Sequence, residues 1–166
     1  WLDLVALGTI CDVVPLVGVN RSLVAQGLKI MAERENVGLK ALSDVAGVAE
    51  APSTYHAGFL LGPRVNAGGR VGRSEAGAIL LSTDDPEEAA SISSELNVYN
   101  AERQAIEAMV LEDAMTQTQG EIGVGGVAPP VIIAANVGWH PGVIGIVAGR
   151  LKEHFNRPTI VIAIDE

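Results

Sequence analysis

Cysteine is nearly missing: Cys11 is the only one in 166 residues, so no disulfide can close within the chain. That scarcity fits a reducing compartment, and a cytoplasmic location is expected. Aromatic residues reach only 4%, two each of Trp, Tyr and Phe, so the core must be built from aliphatic side chains. No apolar run approaches the ~18 residues that a membrane-spanning helix needs, and no membrane contact is expected. The opening Trp1-Leu2-Asp3-Leu4 has no basic segment, no long apolar stretch and no cleavage site, and does not read as a signal peptide. It also lacks an initiator Met, and Ile164-Asp165-Glu166 closes just past a strand-like run, so a piece of a longer protein is expected. No Gly-Lys-Ser/Thr ends any glycine-rich stretch, which excludes a Walker-type phosphate loop.

What is present supports folding. The chain is 48% apolar and 19% charged, enough to bury a core in one domain or two small ones. Its net charge of −9 argues at first against nucleic acid. The distribution of that charge points the other way. Residues 84–121 hold ten of the twenty acids and one base, Arg103, so the remainder is electrically balanced. Around two glycine-rich motifs the balance is locally positive: Arg64, Arg70 and Arg73 against Glu75, then Arg150, Lys152 and Arg157 against Glu153.

Residues 1–82 read as short helices joined by glycine turns. A densely apolar core helix is predicted over 2–10, then Asn20 caps a helix over 21–32 with Leu23, Leu28 and Met31 inward. Short helices follow over 39–45 and from Ser53 or Thr54 to 61, then a loop over 62–72 and a helix over 75–81. Thr83-Asp84-Asp85-Pro86-Glu87-Glu88 combines a capping residue, an early proline and acids at the positive end of the dipole. Ile92, Leu96, Tyr99, Ile106 and Val110 continue it as a heptad-like stripe, predicting one long connecting helix over 83–119. Its stripe could alternatively pair with a partner chain. A Gly/Pro-rich linker over 120–130 leads to the β-branched run Val131-Ile132-Ile133-Ala134-Ala135, a tight turn, a helix over 143–155, and a second run, Thr159-Ile160-Val161-Ile162-Ala163-Ile164. That order predicts a right-handed βαβ crossover with parallel strands. The fold class is therefore α/β: a helical part, a long connecting helix, then a βαβ unit of a second lobe.

Three clusters carry candidate chemistry. Asp12, at the end of the first apolar segment, must cap backbone, pair with a cation or bind a metal if it is buried. One aspartate cannot hold a hard cation by itself. Arg64, Asn66 and Arg70 frame two adjacent glycines. They suit either a phosphate clamp or a surface turn with arginines tied to acids. Gly138-Trp139-His140-Pro141-Gly142-Val143-Ile144-Gly145 places an imidazole at a helix start, where ligands gather in α/β sheets. There His140 either donates to a phosphate or polarises water, or it caps the helix while Trp139 fills the core. His56 and His154 are assigned to no site.

Four ordered motifs now carry a resemblance. They are the segment from Asp3 to Leu16, then Pro63-Arg64-Val65-Asn66-Ala67-Gly68-Gly69-Arg70, then Asn100-Ala101-Glu102-Arg103-Gln104-Ala105-Ile106-Glu107, and the segment from Gly138 to Leu151. Together they resemble the bacterial single-strand-specific 5′→3′ DNA exonucleases of the DHH phosphoesterase superfamily. The resemblance covers nearly the whole chain. It implies that 1–82 is the C-terminal part of a DHH lobe, 83–119 the connecting helix and 120–166 the start of a DHH-associated substrate-binding lobe. It also implies phosphodiester hydrolysis at a two-metal Mn2+ or Mg2+ centre, single-stranded DNA as substrate, and a role in DNA repair and recombination. Asp12 becomes a catalytic metal ligand, Arg64, Asn66 and Arg70 contact substrate phosphates, and His140 with Gly142 faces the metal centre across a cleft. Cys11 and Gly68 or Gly69 depart from the small residues, often alanine, usual there. No Asp-His-His triplet occurs in this sequence, so the other metal ligands are expected upstream and a further anion-binding motif downstream. The fragment alone is then expected to be inactive. The alternatives are a DHH phosphoesterase acting on short oligonucleotides or cyclic dinucleotides, and a non-catalytic nucleic-acid-binding relative.

Overall fold

The computed structural model describes residues 1–123 and 125–165. Val124, in the predicted linker, and the closing Glu166 lie outside the described residues. The chain divides into two compact units, Trp1–Asn100 and Ala101–Glu166. No helix among the described residues is long and apolar enough to cross a membrane.

The first unit begins with α1 (Leu2–Cys11), α2 (Gly18–Glu33) and α3 (Val37–Val45). α1 is helical as its apolar run predicts, but it is not buried all round. Ala6 and Leu7 are packed, whereas Leu2 and Val5 on another face are exposed. α2 starts earlier than Asn20 suggests. Val17 is its N-cap, and Asn20, inside the first turn, donates instead to the Pro15 carbonyl at 3.3 Å. α2 ends on Arg34 in the left-handed region, φ 57°. A non-glycine residue there is uncommon, and its guanidinium anchors it by bonding the Val48 and Lys40 carbonyls and the Asp44 carboxylate. Asn36 caps α3 by accepting from the Leu39 N–H at 2.8 Å.

A π-helical stretch, His56–Leu61, runs directly into α4 (Gly62–Val71). This corrects the loop predicted over 62–72. Pro63 sits in the first turn of α4, directly after the π-helical stretch, and the glycines serve packing rather than turning. A Cβ on Gly62 would lie 2.4 Å from Cys11 Sγ, and one on Gly68 would lie 2.3 Å from the Arg73 carbonyl oxygen. α5 (Ala76–Ser82) follows.

α6 (Pro86–Ile122) has 37 residues and contributes to both units. Asp85 starts it, its carboxylate accepting from the Glu87 N–H at 2.9 Å. The heptad-like stripe is used within the chain. Ile92, Leu96 and Tyr99 pack into the first core with Leu42, Leu61 and Leu80, while Ile106 and Val110 pack into the second. The stripe is therefore not available to pair with a partner chain.

In the second unit, β1 (Ile132–Val137), α7 (Pro141–Phe155) and β2 (Thr159–Ile164) form the predicted crossover. The strands are parallel, with Ile132 opposite Thr159 and Val137 opposite Ile164. Successive strand residues face opposite sides. Ala134, Val161 and Ala163 join Val143, Val147 and Leu151 of α7 and Val110 and Ala114 of α6. On the other face Ile133, Val137, Ile160, Ile162 and Ile164 are exposed.

Candidate functional site

Asp12 follows the last residue of α1. Its N–H closes the helix on the Gly8 carbonyl at 2.9 Å. Val13 then turns the chain at φ 54°, although it is β-branched. Such a residue in the left-handed region costs on the order of 1–3 kcal/mol, and strain of this kind gathers at functional sites. The Asp12 side chain is exposed and forms no hydrogen bond or ion pair among the described residues. Neither capping nor pairing accounts for it, and because it is solvated it carries no burial penalty that would demand either.

Beside it, the Cys11 thiol is half-buried against Gly62 and points at the Ala57 carbonyl. Burial, reinforced by the Asp12 charge, pushes its pKa up. The thiolate is the reactive form, so at neutral pH Cys11 should alkylate more slowly than a free thiol. Its rate should climb only at higher pH than that of glutathione. A thiol-reagent time course across pH checks this; a rate equal to glutathione's would contradict it.

The Cys11–Gly62 contact brings the Asp12 end of α1 onto the start of α4, which carries the arginine motif. A helix redistributes that motif. Asn66 and Arg70 are four apart and share an exposed face. Arg64, six before Arg70, is turned about 120° from it at 3.6 residues per turn. The two arginines therefore do not form one clamp on a common face. Arg64 is half-buried, with Nη1 donating to the Leu60 carbonyl of the preceding π-helical stretch, 2.7 Å, and Nε to Asn97 Oδ1 of α6, 2.9 Å. Burial lowers its pKa, which leaves an arginine cationic. Arg64 thus joins α4 to α6.

The remaining candidates belong to the second unit. Gly138, at φ 82°, makes the turn after β1 in a conformation that favours glycine. Trp139 is buried in the core, and its indole Nε1 donates to Asp113 Oδ2 at 2.8 Å. His140 is the N-cap of α7, its Nδ1 accepting from the Gly142 N–H at 3.0 Å. Both parts of the capping alternative are present. Capping does not remove the imidazole from other work. With Nδ1 an acceptor, the neutral ring carries its proton on Nε2, which is left as a donor. Arg150 and Arg103 both bond Glu107, at 3.4 and 2.5 Å, joining α7 to α6.

Among the described residues no three His, Cys, Asp or Glu side chains come together as a metal site. A divalent hard cation takes six or more oxygens. The donor set thus fits a partial contribution from Asp12 and not a complete centre.

No family model matches the chain. Among curated proteins, it is 38% identical over 167 residues to the single-stranded-DNA-specific exonuclease RecJ of Bacillus subtilis, covering 99% of this chain. It is 41% identical over 164 residues to the Escherichia coli protein of the same name, covering 98%. This chain is similar to a segment of RecJ. It spans only 21% and 28% of those two RecJ proteins. Solved RecJ structures agree. The Thermus thermophilus protein in complex with Mg2+ superposes with a TM-score of 0.87 at 38% identity, over 98% of this chain and 25% of that one. An exonuclease RecJ bound to manganese gives 0.85 at 38% identity, over 98% and 40%.

Four features of these sites were not foreseen from the sequence: the strained Val13, the Cys11–Gly62 contact, Asn97 as the partner of Arg64, and Asp113 beneath Trp139. The paired residues among them lie 26 to 51 positions apart. Only Gly62, as an unexplained glycine beside a proline, left a trace in the sequence.

Proposed function

We propose that this chain is part of a RecJ-type exonuclease that hydrolyses phosphodiester bonds of single-stranded DNA from the 5′ end. The observation that carries this reading is the 38–41% identity to RecJ proteins along 98–99% of the chain. Residues 1–82 would be the end of a DHH lobe, 83–119 the connecting segment and 120–166 the beginning of the associated lobe. Repair and recombination of DNA in the cytoplasm is the proposed setting.

Two Mn2+ or Mg2+ ions, when bound, would supply hydroxide at neutral pH and neutralise charge in the displacement. Asp12 would hold one position of that centre, its carboxylate already exposed and uncommitted among the described residues. Arg70 and Asn66 share the α4 face best suited to reach phosphate oxygens. Arg64 would act from the buried side by fixing α4, with its remaining N–H groups directed to substrate. His140 would donate from Nε2 to a phosphate oxygen, and Gly142, lacking a side chain, would let the strand approach the start of α7.

Full-length protein should digest single-stranded DNA in the presence of Mn2+, and residues 1–166 alone should not. Digestion by the 166-residue chain would refute the incomplete-centre argument. Arg70→Ala in the full-length protein should weaken binding and reduce the salt slope by about one. Anisotropy titrations over a salt series measure both; an unchanged slope removes Arg70 from the phosphate contacts.

A further inference from the structure

On the reading above, in which His140 meets substrate, we propose that Asp113 of α6 is a positioning residue for the His140 turn. The turn joining β1 to α7 is short and passes through Gly138 at φ 82°, which alone would leave it pliable. One carboxylate oxygen grips it from both sides. Asp113 Oδ2 accepts from Asn136 Nδ2 at 2.8 Å, two residues before Gly138, and from Trp139 Nε1 at 2.8 Å, one residue after it. Asn136 is itself aligned, its Oδ1 accepting from the Val137 N–H at 2.8 Å. The Trp139 ring is buried and has a single polar atom, which needs an acceptor. One turn further along the same helix face, Gln117 Oε1 accepts from the Ala135 N–H at 3.2 Å and extends the grip along β1.

The consequence falls on the next residue. With Trp139 and Asn136 fixed to α6, His140 is delivered to the start of α7 where its Nδ1 can accept from the Gly142 N–H. That bond selects the Nε2–H tautomer and aims the donor away from the helix. Without Asp113, the indole N–H loses its acceptor and the Asn136 amide loses its anchor. The turn can then rotate about Gly138, and His140 loses its single orientation. Asp113 thereby acts through His140 rather than on substrate.

The test uses full-length protein and a labelled single-stranded oligonucleotide, with Mn2+. Asp113→Ala and Trp139→Phe, which keeps the aromatic ring but removes the donor, should each lower kcat about tenfold with a smaller change in KM. Asp113→Asn retains a carbonyl acceptor and should recover most of that loss. The double variant Asp113→Ala/His140→Ala should be no slower than His140→Ala, because both remove the same contribution. Nitrogen-15 spectra of the His140 ring should show the Nε2–H tautomer, giving way to a mixture in Asp113→Ala. If Asp113→Ala does not fold, Trp139→Phe and its double with His140→Ala carry the same comparison. A loss that adds to that of His140→Ala, or wild-type kcat in Trp139→Phe while His140→Ala is impaired, overturns the positioning role and leaves the exonuclease reading standing. Wild-type kcat in His140→Ala instead overturns the assignment of His140 to substrate, and this inference with it.

Discussion

On the proposed reading, in which Asp12 holds a metal ion, Asp12→Ala in the full-length protein should lower turnover on single-stranded DNA by more than a hundredfold while leaving the melting temperature almost unchanged. Loss of a group merely supporting a metal ligand costs roughly 10–100-fold, so loss of a ligand sets a higher floor. The second half of the expectation follows from the structure. The carboxylate is exposed and makes no bond within the described residues, so its removal belongs among surface changes worth roughly ±0.5 kcal/mol. Asp12→Asn should behave like Asp12→Ala, since a neutral amide is a poor ligand for a hard cation. Initial rates in Mn2+ and a thermal melt decide the matter; wild-type turnover would remove Asp12 from the metal centre.

Gly38→Ala should unfold or severely loosen the first unit, against the direction that helix propensity dictates. Alanine inside a helix is favoured over glycine by about 1 kcal/mol. At Gly38, however, a Cβ would stand 1.8 Å from the Leu80 carbonyl oxygen and 2.7 Å from its carbon. Those are backbone atoms of α5, which cannot swing aside as a flexible side chain would. Overpacking of this severity exceeds the usual 1–3 kcal/mol, so the steric loss outweighs the propensity gain. Gly8→Ala is the internal control. It lies on the exposed side of α1 with nothing within 4 Å of its Cβ position, and should be neutral or stabilising. Denaturant unfolding of both variants separates the two effects; equal midpoints would show that α3 and α5 can move apart freely.

The contrast between these glycines explains where the sequence was legible. Apolar spacing in the long helix and β-branched alternation in the strands are local patterns with periods of 3.6 and 2. β2 follows from them residue for residue and the parallel crossover in its order, while α6 runs three residues later at both ends than predicted. Glycine has no such unique reading. In 62–72 its abundance suggests a loop, yet Gly62 and Gly68 are there so that Cys11 and the Arg73 backbone can come close to a helix. The arginines of that stretch then separate onto different faces, and Arg64 turns inward to Asn97. The motif was readable as a motif, and its geometry was not.

At the two chemical termini the outcome is similar. The sequence allowed His140 to be either a cap or a donor, and the structure makes it a cap whose other nitrogen remains a donor. For Asp12 the sequence offered three ways to compensate a buried charge, and exposure made compensation unnecessary.

The long helix and the two strands, as elements, are therefore properties of the sequence, since each depends on neighbours within one or two helical turns. Tertiary structure alone decided which glycines are contacts, which arginine is buried and what holds the His140 turn. The Cys11–Gly62 contact, the Arg64–Asn97 bond and the Asp113–Trp139 bond join residues 51, 33 and 26 positions apart, brought into reach only when the cores close.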